Sequence, residues 1–419
     1  MTKFRISAIS LALALLFTIP LRADVLFSEL VTVTDDSFSL YWATDQPAQC
    51  LIKYGARSLK LGSQYRETGK PVAFHFSTIT GLHPGTKYYY ALVCGDHPAG
   101  FSRRSPGTLV TQAPPGGELL FSFAVLTDMH VKEDISGVTF LPIRWAPMLS
   151  SGYVWKYPVD NYWAFTNRNA IEQINKQPVS FTVVTGDLTS WFTKEEFELA
   201  KSFLDQLVKP YYPMRGNHDR VENQPSDWFK KVFNRDPSYY SFNYQGFCFI
   251  CLDDSRLSDG WGMISDEEFA WLEKTLAGHK NDPTFIFAHH PDGLGYPDVK
   301  KATSDKFQAL LGRNPQIVAC FYGHKHGAVI RIPKFGGNPI PQIMVPIVKD
   351  YPSGFGIVKV YEGGLVYNFH RTDCADCLEW SAVTRREEFG LAPFVLESGL
   401  SDRNLAYAFP EKIKRMVGK

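Results

Sequence analysis

The chain has 419 residues, 44% of them hydrophobic and 14% aromatic, with 44 basic against 43 acidic side chains. That composition excludes a disordered protein and suits two or three domains, each with its own core. The charges are balanced and form no long runs, so neither a nucleic-acid groove nor an anionic membrane surface is expected as a partner.

Residues 1–23 read as a secretory signal peptide. Lys3 and Arg5 precede an apolar run over 6–19, and Pro20, Leu21, Arg22 and Ala23 follow, with cleavage expected after Ala23. About fourteen apolar residues fall short of the ~20 that a helix needs to cross a bilayer. No cysteine follows the run to take a lipid, and no later segment is long and apolar enough to span. The mature chain is therefore expected to be periplasmic or secreted, without a transmembrane segment.

Export makes disulfides available to the seven cysteines, an odd number that leaves at least one unpaired. Cys50 and Cys94 are a candidate bridge. Cys248 and Cys251 lie three apart in the apolar run GFCFICLD, where strand alternation turns them to opposite faces as small buried hydrophobes, and Cys320 reads the same way. Cys374 and Cys377 form a CxxC with no second CxxC to complete a zinc site, which favours a local disulfide.

Residues 24–113 read as all-β. FSLYWAT, CLIKYG, AFHFSTITGL and KYYYALVC alternate apolar and polar positions with turn residues between them, and no amphipathic helix interrupts. GLHPGTKYYY at 81–90 has the composition of a tyrosine corner closing a β-sandwich. Through Trp42, Tyr54, Gly55, Leu82, Pro84, Gly85, Thr86 and Tyr88 this stretch resembles the fibronectin type III module at the front of purple acid phosphatases. These residues read as core and corner, without chemistry. APPGG at 113–117 is a linker by composition.

From residue 118 to 370 short apolar strands alternate with helical stretches, an α/β signature. LLFSFAVL leads to Asp128 and His130. The helical NRNAIEQINK precedes VSFTVVTG and Asp187, and KEEFELAKSFLDQLV precedes YYPMRG and Asn217. DEEFAWLEKTLAG then precedes TFIFA and His289, and DKFQALLG precedes IVACFYG with His324 and His326. Every one of these polar residues follows an apolar strand, and ligands of open α/β sheets bind outside the carboxyl ends of strands. Between His130 and Arg168 an aromatic insertion holds Trp145, Tyr153, Trp155, Tyr157, Tyr162 and Trp163. Its prolines favour an irregular loop packing its rings against the protein over a substrate lid. Further strands are expected up to residue 370, whereas residues 371–419 show no clear period and form a tail without an assigned role.

Asp128 and His130 lie two apart and can share one face, as can His324 and His326. Asp187 follows a glycine that permits a sharp turn and offers two oxygens to a pair of cations. Imidazole, carboxylate and the amide of Asn217 suit iron, manganese or zinc over calcium. His218 is placed to give a proton to a leaving alkoxide, with Asp219 expected to orient its ring and raise its pKa. His290 reads as a packed or substrate-side neighbour, and Arg215 and Arg220 as surface arginines.

The series DxH, GD, GNHD, HxP and GHxH in this order resembles the calcineurin-like metallophosphoesterase superfamily. The resemblance implies a four-layer α/β/β/α sandwich behind the β-sandwich, and two metals. Asp128, His130, Asp187 and His326 would hold the first, and Asp187, Asn217, His289 and His324 the second, with His218 acting on the transition state or leaving group. It implies hydrolysis of a small-molecule phosphate ester by hydroxide generated on the metals. Purple acid phosphatases carry a tyrosine where this chain has Ser190 and lack the counterpart of His130, so the purple colour and obligate ferric ion are not expected. His130 is similar to the branch holding bacterial cyclic nucleotide phosphodiesterases, which favours diesters. The rivals are an acid-phosphatase-type phosphomonoesterase and a non-catalytic surface binding protein with a degenerate enzyme domain. Oligomeric state is not legible.

Overall fold

The computed structural model describes residues 23–57, 61–94, 97–98, 107–133, 161–220, 226–255, 260–295 and 298–417. The signal-peptide reading of residues 1–22, and Trp145, Tyr153, Trp155 and Tyr157 of the insertion, lie outside these residues. Among the described residues no helix is long and apolar enough to cross a membrane.

The front of the chain forms two antiparallel sheets. One contains β1 (Val25–Val33), β2 (Phe38–Ala48) and β5 (Val72–Ile79). The other contains β3 (Cys50–Gly55), β4 (Ser63–Arg66), β6 (Lys87–Cys94), β7 (His97–Pro98) and β8 (Gly107–Val110). Alternation in β2 sends Phe38, Leu40 and Trp42 inward, where they meet Ile52, Leu92 and Leu109. Cys50 and Cys94 face each other across β3 and β6 and are bonded. The Tyr88 hydroxyl accepts from the His83 backbone N–H at 3.0 Å and ties the corner.

Two six-stranded sheets follow. The first runs in the order β11 (Tyr211–Pro213), β10 (Thr182–Val184), β9 (Leu119–Leu126), β20 (Gly354–Tyr361), β21 (Gly364–Arg371) and β22 (Asn404–Ala408). Strands β9, β10 and β11 are parallel, and β20, β21 and β22 continue antiparallel. The second runs β12 (Tyr240–Tyr244), β13 (Phe247–Cys251), β14 (Thr284–Phe287), β15 (Ile317–Tyr322), β19 (Gln342–Met344) and β16 (Val329–Arg331), parallel from β13 through β19. Strands β17 (Lys334–Phe335) and β18 (Asn338–Pro339) form a small hairpin.

Phenylalanines at alternate positions of β9, β13 and β14, with Phe181 before β10 and Phe321 of β15, fill the space between the sheets. Helices cover the outer faces. The first sheet carries α1 (Tyr162–Asn175), α2 (Lys194–Leu204) and α6 (Ala375–Thr384), through Ile171, Phe197 and Trp380. The second carries α4 (Asp266–Gly278) and α5 (Lys301–Arg313), through Phe269, Leu272 and Phe307. A short α3 (Trp228–Phe233) packs on α2. Thr193 and Glu196 close a capping box at the start of α2, and Ser265 caps α4. The architecture is therefore a β-sandwich followed by an α/β/β/α sandwich.

Cys251 points into the inter-sheet core and Cys248 to the helical side, the opposite faces that alternation requires. The irregular loop expected between His130 and Arg168 ends early, because Tyr162 and Trp163 open α1 and are buried under α6 and α2. Tyr162 stacks on Trp380 at 4.3 Å and Trp163 meets Phe203 edge-on. Cys374 and Cys377 are bonded at the start of α6. The sandwich packs on α6 through the Tyr41 hydroxyl, which donates to the Leu378 carbonyl at 2.7 Å. Arg371, wholly buried, lies under the Tyr41 ring and reaches Glu29 at 3.2 Å and Glu397 at 3.4 Å.

Candidate metal centre

Strands β9, β10, β11, β14 and β15 end on one rim, and the first polar residues past each end converge there. The backbone at those ends is strained. Asp128, His130, Asp187, His324 and His326 all have positive φ, between 40° and 74°, a region that L residues visit rarely and that concentrates where side chains must be aimed. Gly186, at φ 103°, turns the chain just before Asp187. At Gly323 a Cβ would lie 2.0 Å from the Thr127 hydroxyl and 2.8 Å from an Asp128 carboxylate oxygen, so only glycine lets β15 come this close to β9.

Two groups of donor atoms result, sharing Asp187. In the first, His130 Nε2 lies 3.5 Å from Asp187 Oδ2 and 3.9 Å from Asp128 Oδ1, and His326 Nε2 lies 3.7 Å from Asp128 Oδ1. In the second, His289 Nε2 lies 3.2 Å from Asp187 Oδ2 and 3.1 Å from Asn217 Oδ1, and His324 Nδ1 lies 2.9 Å from the same amide oxygen. The structure thus brings together all seven sequence-predicted ligands. His218 joins them from the side, its ring 4.6 Å from that of His130 and its backbone N–H donating to Asp187 at 2.8 Å.

The donor set fits cations. His289 Nδ1 sits 2.9 Å from the Thr185 carbonyl, which can only accept, so a neutral ring presents its Nε2 lone pair to a carboxylate and an amide oxygen. Three acceptors pointed at one another need a positive charge between them. Without a metal, a proton takes that part: burial opposes charge on His289, but Asp187, Asp128 and Asp254 outweigh it and push the imidazole up to about 10. Burial lowers His130, His324 and His326 well below the usual histidine range. It also raises Asp128, beside Asp187, to about 7. Burial alone would raise Asp187, yet His289 and His218 hold it well below the ordinary carboxylate range. Both nitrogens of His130 are buried without a hydrogen bond, as a ligand awaiting its ion would be.

Asp219 does not orient the His218 ring. Its carboxylate accepts from the backbone N–H groups of Gly216, Leu188 and Thr189 at 2.9 to 3.0 Å and from the Thr189 hydroxyl at 2.9 Å, fastening the β10 and β11 loops together. The Ser190 carbonyl, 3.2 Å from His218 Nδ1, takes the orienting place. Burial disfavours charge on His218, but Asp187 and that carbonyl raise its pKa above the usual value. Arg215 is not a surface residue either. It is 2% exposed and is gripped by Asp227 at 2.5 Å and Asp253 at 3.2 Å. His290 is wholly buried, its Nδ1 3.1 Å from Asp254. Asp254 also accepts from the backbone of His289 at 3.2 Å and His290 at 3.0 Å, and so holds the HHP turn. The sequence reading missed Asp254, although it follows the apolar strand β13 as the ligands follow theirs.

The pattern of the calcineurin-like phosphoesterase family matches residues 121–328. A probable glycerophosphodiester phosphodiesterase of Arcobacter nitrofigilis is 32% identical over 170 residues, 38% of this chain and 61% of that protein. A probable cyclic nucleotide phosphodiesterase of Rhodopseudomonas palustris is 31% identical over 172 residues, again 38% and 61%. The chain thus spans about 61% of the length of the curated relatives it matches. Among solved structures, a purple acid phosphatase from yellow lupin (Lupinus luteus) seeds overlaps 86% of this chain and 77% of its own, at 15% identity and a TM-score of 0.41. Residues 121–328, just under half of the chain, thus carry the pattern of the calcineurin-like phosphoesterases.

Proposed function

We propose that this protein is an exported dinuclear-metal phosphoesterase acting on small phosphate esters, with diesters preferred. The observation that carries the reading is the convergence of acceptor atoms from five strand ends on a shared Asp187. Asp128, His130, Asp187 and His326 would hold one first-row ion, and Asp187, Asn217, His289 and His324 the other, with iron, manganese and zinc the ions that suit this donor set. Such a pair supplies Lewis acidity to a phosphoryl group and makes water acidic enough to attack near neutral pH. The chain's own part is positional and protic. The Ser190 carbonyl takes the Nδ1 proton of His218, so the Nε2 proton is available to the leaving alkoxide, and the raised pKa favours the charged donor.

The preference for diesters follows His130 and the phosphodiesterase names of the relatives. Export rests on residues 1–23. The proposed division is a fibronectin type III-like unit over 24–113 and a catalytic unit from 118, with residues 371–419 adding α6 and β22 to it.

The test is hydrolysis of bis(p-nitrophenyl) phosphate and p-nitrophenyl phosphate by metal-replete protein, with metal content measured alongside. We expect two ions per chain, faster diester cleavage, and a loss of about 10²–10⁴ in kcat for His218→Ala with metal content kept. Faster monoester cleavage would reverse the preference. Full activity in His218→Ala would remove its role as proton donor.

A further inference from the structure

Beside Nδ1 of His130, the ring nitrogen turned from Asp128 and Asp187, lies a buried ion cluster that the reading above does not use. Lys349 is 1% exposed, its ammonium in contact with Glu133 Oε2 and 2.5 Å from Asp350 Oδ2, with the Tyr162 ring 5.7 Å away. Its backbone is fixed too, because the Trp380 indole N–H of α6 donates to the Lys349 carbonyl at 2.8 Å. Burying a charged amine is costly unless its partners are held in place, so a lysine kept here asks for a reason beyond packing.

Glu133 supplies one. Its backbone N–H donates to the His130 carbonyl at 3.0 Å, closing a tight turn that carries its carboxylate over the imidazole of His130. Oε2 lies 3.8 Å from His130 Nδ1, while Nε2 of the same ring faces Asp187 and Asp128. A neutral imidazole has one N–H and one lone pair. If Nε2 gives its lone pair to a cation, the proton sits on Nδ1, and the acceptor facing it is Glu133. Closing 3.8 Å to a hydrogen bond takes a shift of about 1 Å. Lys349, in contact with Oε2, both offsets the charge of this buried carboxylate and pins its position.

We propose that Glu133, locked in place by Lys349, is a positioning residue that fixes the tautomer and tilt of His130 and so sets how tightly the first cation is held. This rests on the functional reading above. In metal-coordinating histidines such a partner is worth about 10–100-fold in metal affinity.

The experiment is competition of the full chain against a chelating indicator with Mn²⁺ as the probe, comparing wild type, Glu133→Gln and Asp350→Asn, with thermal denaturation of the metal-free proteins. We expect two manganese ions in wild type, one of them bound about 10–100-fold more weakly in Glu133→Gln, and a smaller weakening in Asp350→Asn, which removes one partner of the lysine but leaves the lysine on Glu133. Unchanged manganese affinity in Glu133→Gln would overturn the proposal. So would equal weakening in both variants accompanied by equal loss of thermal stability, the mark of a merely structural cluster. Wild-type protein that takes up no manganese, iron or zinc would instead overturn the functional reading on which the proposal stands.

Discussion

Asp219 shows how far a single carboxylate can act from the chemistry it borders. Four donors from two loops share its two oxygens, so the tips of β10 and β11, which carry Asp187 and Asn217, are held at one separation. Burial next to Asp187 raises its pKa to about 6 against the pull of those N–H groups. In Asp219→Asn the amide nitrogen turns at least one donor against another. We expect a loss of about 1–3 kcal/mol in denaturant unfolding, together with weaker metal retention, whereas His218→Ala, which alters the proposed proton donor, keeps its metal. The sequence could not assign this role. GNHD places Asp219 beside His218, but adjacency along a chain does not say which way a side chain turns, and its partners at 188 and 189 come from another loop. Arg215 teaches the same lesson, since Asp227 and Asp253, which bury it, lie 12 and 38 residues further along.

At the level of elements the sequence was far more informative. An apolar run followed by Asp, Asn or His located five strand ends, because parallel strands buried on both faces must be apolar until they emerge. What it could not convey is how closely those ends approach. Gly323 is the measure of that approach, facing the Thr127 hydroxyl, which donates to Asp128 at 2.6 Å. Gly323→Ala should therefore displace Asp128 and weaken the first cation while leaving secondary structure intact, as far-ultraviolet circular dichroism and a metal titration would show. Wild-type metal affinity in that variant would mean that β9 yields more readily than its position between β10 and β20 suggests. The aromatic insertion and the tail were the least legible stretches. Tyr162 and Trp163 read as loop because prolines precede them, and residues 371–417 lack a period because α6 and β22 each pack against a different neighbour.

Across the whole molecule, the sandwich and the catalytic sheets enclose a cleft of about 300 Å³, lined by Thr34, Ser39 and Phe76 on one side and Lys359 and His370 on the other. Burial, helped by Lys359, lowers His370 to about 4, and its ring stacks on Phe355. Unfolded, the same histidine takes its proton near 6.5. The neutral ring therefore contributes stability that is complete above about pH 6.5 and is lost as the pH falls from there towards 4. Melting temperatures of metal-free wild type and His370→Phe between pH 7 and pH 4.5 test this. The variant should lose less stability on acidification, by up to one proton's worth of slope, and an unchanged slope would clear His370 of any part in acid sensitivity.

The junction around Arg371 bears on how the polypeptide is completed during synthesis. Glu29 comes from the first strand, whereas Glu397, 26 residues after Arg371, and Arg403, which contacts Glu397, are made just ahead of the strand that finishes the first sheet. A chain cut short before Glu397 has the metal-centre loops in full but leaves Arg371 without Glu397 and β21 with an open edge. Early termination or carboxy-terminal trimming should therefore yield a protein that aggregates or is degraded, long before any residue that handles substrate is lost.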